Sequence, residues 1–321
     1  MGCSNTPAPQ STQGTPVTPP ARFGAAMGFD PVHNVVVMFG GGAADPQKPL
    51  DDTWLWNGSA WAQAHPAHRP EATGFGFQMA FDSARGVLVL LDDSGTYTWD
   101  GHDWTKHLGG GTGVGEGGVA YDPSRRVVMT QGNDGTWAWD GTTWSLFARA
   151  AAPLARSQGP IAWDVANSSM VLFGGGPGGW GVTSPYTGTW VLPQSESTWS
   201  VAHPTSEPHA RYLNILFYSA RLHRVINYGG LDPHDTFPGQ GNFDDLWAWD
   251  GANWSQLSSS RGPSSRIQVS GAYDTQREEL VLFGGDPTGT TYGASDETWS
   301  WDGKTWMKHG GHASQASPRV S

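Results

Sequence analysis

Short apolar runs alternate with turn residues along most of the chain. In the first copy of this pattern, the run VVVMF at residues 35–39 is followed by a Trp-led run, DTWLWNGSAW, at residues 52–61. The Trp-led run returns with Asp-Gly at its centre at residues 95–104, 135–144, 245–254 and 297–306. Because Asn-Gly and Asp-Gly accept positive φ, each run predicts a hairpin with a tight turn. The copy at residues 188–199, GTWVLPQSESTW, predicts a longer turn.

A second hairpin precedes each Trp-led run. Copies four and six read IAWD…MVLFGG and GAYD…LVLFGG, in which a turn separates two strand-forming runs. Each copy therefore supplies four short strands, and it recurs with a period of roughly 40–55 residues, which indicates an array architecture. Four such strands form one blade of a propeller. The sequence predicts an all-β, six-bladed β-propeller with four antiparallel strands per blade, each blade built from one contiguous segment.

The repeats divide the chain into three parts. The propeller is predicted over residues 21–307. Residues 1–20 are rich in Ser, Thr, Pro and Gln, which bury too little apolar surface to offset chain entropy, so we expect a disordered tether. Residues 308–321 form a C-terminal tail. Its SPRV sequence resembles the linkers that open a blade, so the tail is also compatible with a truncated seventh copy.

The first residues, MGCSN, allow three interpretations. They resemble the mature start of a bacterial lipoprotein, in which Cys3 carries the lipid. They also fit the myristoylation pattern, with Cys3 as a second acylation site. The third interpretation is an ordinary flexible terminus. We favour the lipoprotein, because a Thr- and Pro-rich spacer suits a domain held away from a membrane, and we therefore expect an extracytoplasmic, membrane-tethered or secreted protein.

Charge and composition narrow the possible partners. The chain has 18 Lys and Arg against 29 Asp and Glu, a formal net charge of −11. Phosphate backbones require clustered Lys and Arg, so a nucleic-acid partner is excluded. The single cysteine excludes an intramolecular disulfide. No apolar stretch reaches the roughly eighteen residues of a transmembrane helix. We expect a monomer.

A family resemblance rests on two features: the Gly-Gly pairs that end the second strands, and the Trp pairs downstream of them. Over residues 21–307 the chain resembles the Kelch-repeat β-propellers in their bacterial form, like the central domain of galactose oxidase. The copper oxidases with this fold need a cysteine crosslinked to a tyrosine, and Cys3 lies in the tether, so that chemistry is excluded and no cofactor is expected. The Gly-Gly pairs that carry the resemblance are Gly40-Gly41, Gly174-Gly175, Gly229-Gly230 and Gly284-Gly285.

Tryptophan is abundant, with 18 residues, which could suggest a sugar-binding surface. However, sixteen of them recur in register on the third strands and at the start of the fourth strands. Burying one such ring removes roughly 150–250 Å² from water. We therefore expect these rings to pack between blades. Trp163 matches an aromatic position in the first turn of the other copies, and only Trp180 has no counterpart.

The connections between the second and third strands of the copies are unequal in length. Those at residues 42–51, 176–188, 231–244 and 286–296 are long, whereas residues 92–95 and 133–135 make short turns in copies two and three. Scaffold loops usually carry function. We predict that the long connections bind a protein, peptide or glycan, although a pure assembly scaffold would need no site. The candidate contacts are the aromatic residues in these connections, Trp180, Tyr186, Phe237, Phe243 and Tyr292.

Four arginines open the first strands of the copies that also carry Gly-Gly pairs: Arg22, Arg156, Arg211 and Arg266. At the mouth of a central channel they could bind carboxylate or phosphate, or each could bind backbone carbonyls or acids of its neighbouring blade. Gln158 and Gln268 are expected on the same side. Glu116 is the acid among them and is either a general acid or base or a structural counter-ion.

These residues support an alternative function, a carbohydrate-active enzyme such as an epimerase, mutarotase or lyase acting on an anionic sugar. In blade number the chain resembles the Kelch sialic-acid mutarotases. The histidines are weaker candidates. His65, His68 and His234 could coordinate a metal, but their spacing fixes no third ligand, so no metal site is predicted.

Overall fold

The computed structural model describes residues 18–43, 48–71, 78–92, 94–107, 117–132, 135–149, 159–177, 185–232, 241–257, 262–288 and 293–311. Within these ranges the chain is all β, with 24 strands. No helix in the described part of the chain is long and apolar enough to cross a membrane.

Blade 1 contains β1 (Ala26–Asp30), β2 (Val35–Phe39), β3 (Thr53–Trp56) and β4 (Trp61–Ala64). Blade 2 contains β5 (Gln78–Asp82), β6 (Val87–Asp92), β7 (Gly95–Trp99) and β8 (Trp104–His107). Blade 3 contains β9 (Val119–Asp122), β10 (Val127–Gly132), β11 (Gly135–Trp139) and β12 (Trp144–Arg149). Blade 4 contains β13 (Ile161–Asp164), β14 (Ser169–Leu172), β15 (Trp190–Pro193) and β16 (Ser200–Val201). Blade 5 contains β17 (Ile215–Ser219), β18 (Arg224–Tyr228), β19 (Leu246–Trp249) and β20 (Trp254–Leu257). Blade 6 contains β21 (Ser270–Asp274), β22 (Glu279–Phe283), β23 (Thr298–Trp301) and β24 (Trp306–Gly310).

The predicted six-bladed propeller is confirmed. Each sheet consists of four consecutive strands in antiparallel order, so no strand is exchanged between the ends of the chain. Each first strand contacts the first strands of both neighbouring blades, and β21 contacts β1, which closes the ring. The first strands are therefore innermost, as expected. The residues just before each first strand therefore lie near the centre of the ring, where the six blades converge.

The Asp-Gly turns form because the aspartate caps the chain that follows it. In blade 2, Asp100 Oδ1 accepts the backbone N–H groups of His102 and Asp103 at 2.8 Å each, while Gly101 takes φ 99°. The fourth copy lacks this motif, and its turn is longer, as predicted. The outer strand of this blade is correspondingly short: β16 has only two residues, and Trp199 lies just before β16 rather than within it.

Most of the tryptophans that recur in register are buried. Each is packed in an apolar cluster that combines side chains of two adjacent blades; for example, Trp139 and Val89 belong to one cluster. The prediction that these rings pack between blades is confirmed for the eleven buried residues Trp54, Trp56, Trp61, Trp99, Trp104, Trp139, Trp144, Trp199, Trp249, Trp254 and Trp301.

The tryptophan that leads each fourth strand also makes a directed bond to the preceding blade. Trp104 Nε1 donates to Thr53 Oγ1 at 3.0 Å, and Thr53 is the first residue of β3 in blade 1. We call this bond the indole link. It closes the ring as well, since Trp61 donates to Thr298 of blade 6. The other links are Trp144 to Thr96, Trp199 to Thr136 and Trp254 to Thr189.

A second contact joins neighbouring blades at the turn between the first and second strands. In blade 6, the buried Asp274 caps this turn and pairs with Arg277 at 2.6 Å. Arg277 then donates to the carbonyl oxygen of Asn57 in blade 1 at 2.6 Å. We call this contact the turn link. Its counterparts are Arg85 to Asp140 O, Arg125 to Glu196 O, Asn167 to Asp250 O, and the edge-on contact of His33 with His102.

The indole link can be tested at Thr96, which is fully buried and accepts from Trp144 Nε1 at 2.7 Å. Thr96→Val keeps the shape and leaves the indole N–H without an acceptor. We expect a loss of about 1–3 kcal/mol in the free energy of unfolding, measured in urea. Thr96→Ser keeps the hydroxyl and should lose less. Equal losses in the two variants would contradict a role for the hydrogen bond.

A second prediction concerns backbone strain in the same turns. Arg126 is exposed and takes φ 59°, a conformation that Gly86 provides at the equivalent position of blade 2. We expect Arg126→Gly to raise the thermal midpoint, with a gain of about 0.5–1 kcal/mol. Gly86→Ala is the control: a Cβ there meets nothing within 4 Å, so its expected loss comes from φ alone. Destabilisation by Arg126→Gly would show that the Arg126 side chain matters more than φ.

Candidate functional site

The connections after the second and fourth strands leave one edge of each antiparallel sheet, and those after the first and third strands leave the other. The predicted difference in connection length is confirmed for the two short connections, in blades 2 and 3, because Asp92 pairs directly with Gly95 and Gly132 with Gly135. In the other four blades, a connection of 13 residues or more separates the second strand from the third. The long connections therefore belong to blades 1, 4, 5 and 6.

Arg22 lies just before β1 and is completely buried. Its guanidinium forms a two-pronged pair with Asp52, at 2.6 and 2.9 Å, and donates to the carbonyl oxygen of Gly40 at 2.9 Å. Asp52 also accepts from Trp54 Nε1 at 2.7 Å. All of these partners belong to blade 1, so the expectation of partners in a neighbouring blade is wrong for this side chain. The arginine therefore ties the end of β2 to the start of β3 within one blade.

The same arrangement recurs in blades 5 and 6. Arg211 pairs with Asp245 at 2.5 Å and donates to Gly229 O, and Arg266 pairs with Glu297 at 2.8 Å and donates to Gly284 O. A charge buried in this way requires a partner. In the sequence, each acid that pairs with an arginine lies two residues before the first Trp of the third strand, in DTW, DLW and ETW. Sequence reasoning did not connect it with the arginines.

The Gly-Gly pairs let the arginine of the next blade approach. A Cβ on Gly284 would lie 2.2 Å from the carbonyl oxygen of Arg22, and the N–H of Gly285 donates to that same oxygen at 2.9 Å. Arg22 N–H in turn donates to Ser295 O at 3.0 Å. These backbone contacts join blade 6 to blade 1. The motif therefore serves ring closure in this chain.

Two of the predicted ligand contacts lie close to this framework. Phe243 lies flat against Arg211, with the guanidinium carbon 3.9 Å from the ring centroid, and it stacks on His209. Its N–H donates to Gly230 O, just as the N–H of Tyr186 donates to Gly175 O. Phe243 and Tyr186 are both half-buried rather than fully exposed. Phe243 thus covers an arginine, and this contact was not expected.

Gln268 lies two residues after Arg266 in an unfavourable conformation. Its φ is 54°, where blade 1 has Gly24 at φ 60°, and its carbonyl accepts the N–H of Gly24 at 2.7 Å. Among the described residues, its side-chain oxygen is buried without a hydrogen-bond partner, as is the hydroxyl of Ser270. Leu213 in blade 5 takes the same conformation, with φ 59°. Gln268 therefore remains a candidate for ligand binding near the mouth of the ring.

The two described histidine candidates, His65 and His68, lie in different surroundings. His68 Nδ1 pairs with Asp103 at 2.7 Å, which ties the linker after blade 1 to a turn of blade 2. His65 is exposed and borders a cavity of about 80 Å³ with Asp51, Asp52 and Arg69. Among the described residues, no group of three or more His, Cys, Asp or Glu side chains is placed to hold a metal ion.

Glu207 was missed by sequence reasoning. It lies in the linker before blade 5, and its carboxylate accepts the N–H of Gly188, which occupies the acid position of blade 4. Burial raises the pKa of Glu207, and within the described ranges one of its oxygens is buried without a hydrogen-bond partner. A carboxyl group in this situation favours its protonated form. The carboxyl group of Glu207 therefore holds its proton more readily than that of an ordinary glutamate.

The remaining candidates lie outside the described residues, so their predictions stay predictions. They are Cys3, Glu116, Arg156, Gln158, Trp180, His234, Phe237 and Tyr292.

The ion pair at Glu297 predicts an acid dependence of stability. Burial alone would raise the pKa of Glu297, but hydrogen bonds from Lys308, Arg266 and Trp299 lower it to about 2, from an ordinary 4.5. The ionised form thus stabilises the fold above pH 4.5, and this contribution is lost as the pH falls toward 2.

We expect Glu297→Gln to flatten the fall in the free energy of unfolding between about pH 5 and pH 2. Urea unfolding at several pH values measures this. Glu278→Gln, which changes an exposed carboxylate of the same blade, is the control and should leave the profile close to that of the unmodified protein. A Glu297→Gln profile as steep as the unmodified one would contradict the ion-pair account.

Comparison with known proteins supports the architecture. A solved structure described as "Structure of YjhT" superposes with a TM-score of 0.60 at 12% sequence identity, covering 91% of this chain and 98% of that chain. At this identity the likeness shows the fold alone. No protein-family model matches the chain, and no curated protein sequence matches it. The chain is a six-bladed β-propeller, and its Kelch resemblance stays a prediction.

Proposed function

We propose that this propeller is a non-catalytic recognition module that binds a protein, peptide or glycan through the connections after its second strands. The observation that carries the proposal is the neutralisation of Arg22, Arg211 and Arg266, each of which is buried against a carboxylate of its own blade. A site that processes an anionic sugar needs cations open to the ligand. Each of these three guanidinium groups already donates four hydrogen bonds within the protein.

The distribution of the connections gives further support. Blades 1, 4, 5 and 6 carry long connections, while blades 2 and 3 end in tight turns at the same edge. The turn in blade 2 is fixed by its own side chain, because Asp92 Oδ1 accepts the N–H groups of Ser94 and Gly95. A rigid ring that presents variable connections on one part of its rim is typical of binding scaffolds.

The enzymatic alternative rests on residues outside the described ranges. An epimerase, mutarotase or lyase would depend on Glu116, with Arg156 and Gln158 beside it, and on the neutral Gln268. Without open arginines from blades 1, 5 and 6, such a site would keep one predicted cation. The proposed location is extracytoplasmic, with Cys3 as the lipid-bearing residue.

The full chain should be screened on glycan and peptide arrays, followed by affinity measurements on a bound probe. We expect Trp180→Ala to weaken that affinity at least about tenfold, since buried aromatic anchors dominate binding, without a change in thermal midpoint. Val165→Ala is the control: this side chain is 58% exposed at the opposite edge of the sheets, and its loss should leave binding unchanged.

Two results would contradict the recognition module. One is chemical conversion of a sugar by the unmodified chain that Glu116→Gln abolishes. The other is equal loss of affinity in Trp180→Ala and Val165→Ala, which would show that the long connections do not form the binding surface.

A further inference from the structure

The joint between blades 5 and 6 lacks the indole link found at the other five joints. Trp306 leads the fourth strand of blade 6, and the position that should face it in blade 5 is occupied by Leu246 instead of threonine. Among the described residues, Trp306 Nε1 is buried without an acceptor. Trp306 is also only half-buried, whereas its five counterparts are buried. One residue change therefore removes the bond and loosens the packing.

A second unpartnered group lies at the same joint. Tyr228 contacts Trp306, with ring centroids 5.3 Å apart, and its hydroxyl is buried without a partner in the part of the chain that the structure describes. The equivalent residues in blades 1, 4 and 6 are Phe39, Phe173 and Phe283, which bring no polar atom. A buried polar group without a partner destabilises the contact around it. Among the described residues, this joint has two such groups, on side chains whose rings are in contact.

The turn link is also missing at this joint. In the other five blades the first strand ends in a buried aspartate, and the residue three positions later reaches the next blade. Blade 5 has Ser219 at the aspartate position and Leu222 at the reaching position. Leu222 lies near Gly303 of blade 6 and has no group to donate. This loss is independent of Leu246, because it arises from the opposite edge of the sheet.

Weak contacts and apolar packing remain across the joint. Arg221 and Glu278 approach to 3.5 Å, but both side chains are 47% exposed, so solvent screens the pair. The hydroxyl of Tyr273 lies 3.3 Å from Arg221 N and 3.4 Å from Ser219 Oγ, which are long hydrogen bonds. An apolar cluster that includes Phe217, Leu246 and Trp301 fills the interior of the joint.

We propose that the joint between blades 5 and 6 is the place where the native ring opens. Local opening in a folded protein begins where directed bonds are fewest. The second strand of blade 5 and the second strand of blade 6 both lead into long connections, so opening changes the spacing between two of the connections at this edge. The other five joints stay closed because each retains both links.

Two buried alanines provide a matched test. Ala248 packs in the cluster of blades 5 and 6, and Ala138 packs in the cluster of blades 3 and 4. They occupy the same register position of the third strand and are 4% and 6% exposed. In a Cys3→Ser background, Ala248→Cys or Ala138→Cys carries the only thiol. The rate at which an aromatic disulfide reagent labels that thiol under native conditions reports opening of its joint.

We expect Ala248→Cys to be labelled at least about tenfold faster than Ala138→Cys, since each missing hydrogen bond changes an opening equilibrium by roughly that factor or more. Adding Leu246→Thr should slow labelling of Ala248→Cys, and adding Thr136→Leu should speed labelling of Ala138→Cys. Equal rates at the two alanines would overturn the proposal. An unchanged rate after Leu246→Thr would overturn the assignment of the effect to the missing indole link.

If a cysteine variant does not fold, the unmodified protein gives the same comparison. Hydrogen exchange of the indole N–H groups, followed by NMR, distinguishes the joints without any substitution. We expect Trp306 to exchange faster than Trp254, whose N–H donates to Thr189 at 2.7 Å. Protection of Trp306 equal to that of Trp254 would overturn the proposal.

Discussion

The bond from an indole N–H to a threonine hydroxyl of the preceding blade is the contact on which the ring depends. A four-stranded sheet with strands of two to six residues cannot bury its apolar face alone. Packing a tryptophan between blades supplies that area, but a flat apolar ring leaves the angle between sheets poorly defined. The hydroxyl partner, itself buried at the start of the third strand, fixes that angle. At five of the six joints, the bond therefore orients one blade relative to the next.

The buried arginines solve a different problem within single blades. Where the connection between β2 and β3 is long, the two strands separate at their ends, and no tight turn holds them. Arg22 spans that gap, binding the carbonyl of Gly40 on one side and Asp52 on the other. Blades 2 and 3 need no such bridge because their turns are short, and they lack the arginine. In a blade with a long connection, the arginine thus holds together the two strand ends that a tight turn would otherwise join.

The sequence predicted the blades well because their signals are local. Asp-Gly turns and alternating aromatic runs act over a few residues, and the six hairpin pairs were identified from them. The role of the arginines was harder to predict, because Arg22 and Asp52 are 30 residues apart and nothing between them marks the pair. Phe243 illustrates the same limit, since an aromatic residue in a Gly-rich connection reads as exposed until Arg211 is found beneath it.

The turn links show a signal that was visible but not used. Aspartate followed three residues later by Arg, His or Asn recurs in five copies. In four of them the partner in the next blade is a backbone carbonyl, which no sequence pattern identifies, and in the first copy it is the ring of His102. The unpartnered oxygen of Gln268 is equally invisible, because burial of a single atom depends on the packing of several blades. The fold could therefore be predicted from the sequence, whereas the burial and hydrogen bonding of each candidate side chain could not.

Building each blade from one contiguous segment has a consequence for the order of folding. Contacts inside a blade join residues close in the chain, so they carry a small entropic cost and can form early. The bond between Trp61 and Thr298 joins residues 237 positions apart. Only the chain that passes through the intervening blades connects the first blade to the last, so closing the ring carries a large loop-closure entropy. We therefore expect circular closure to be a late event in folding.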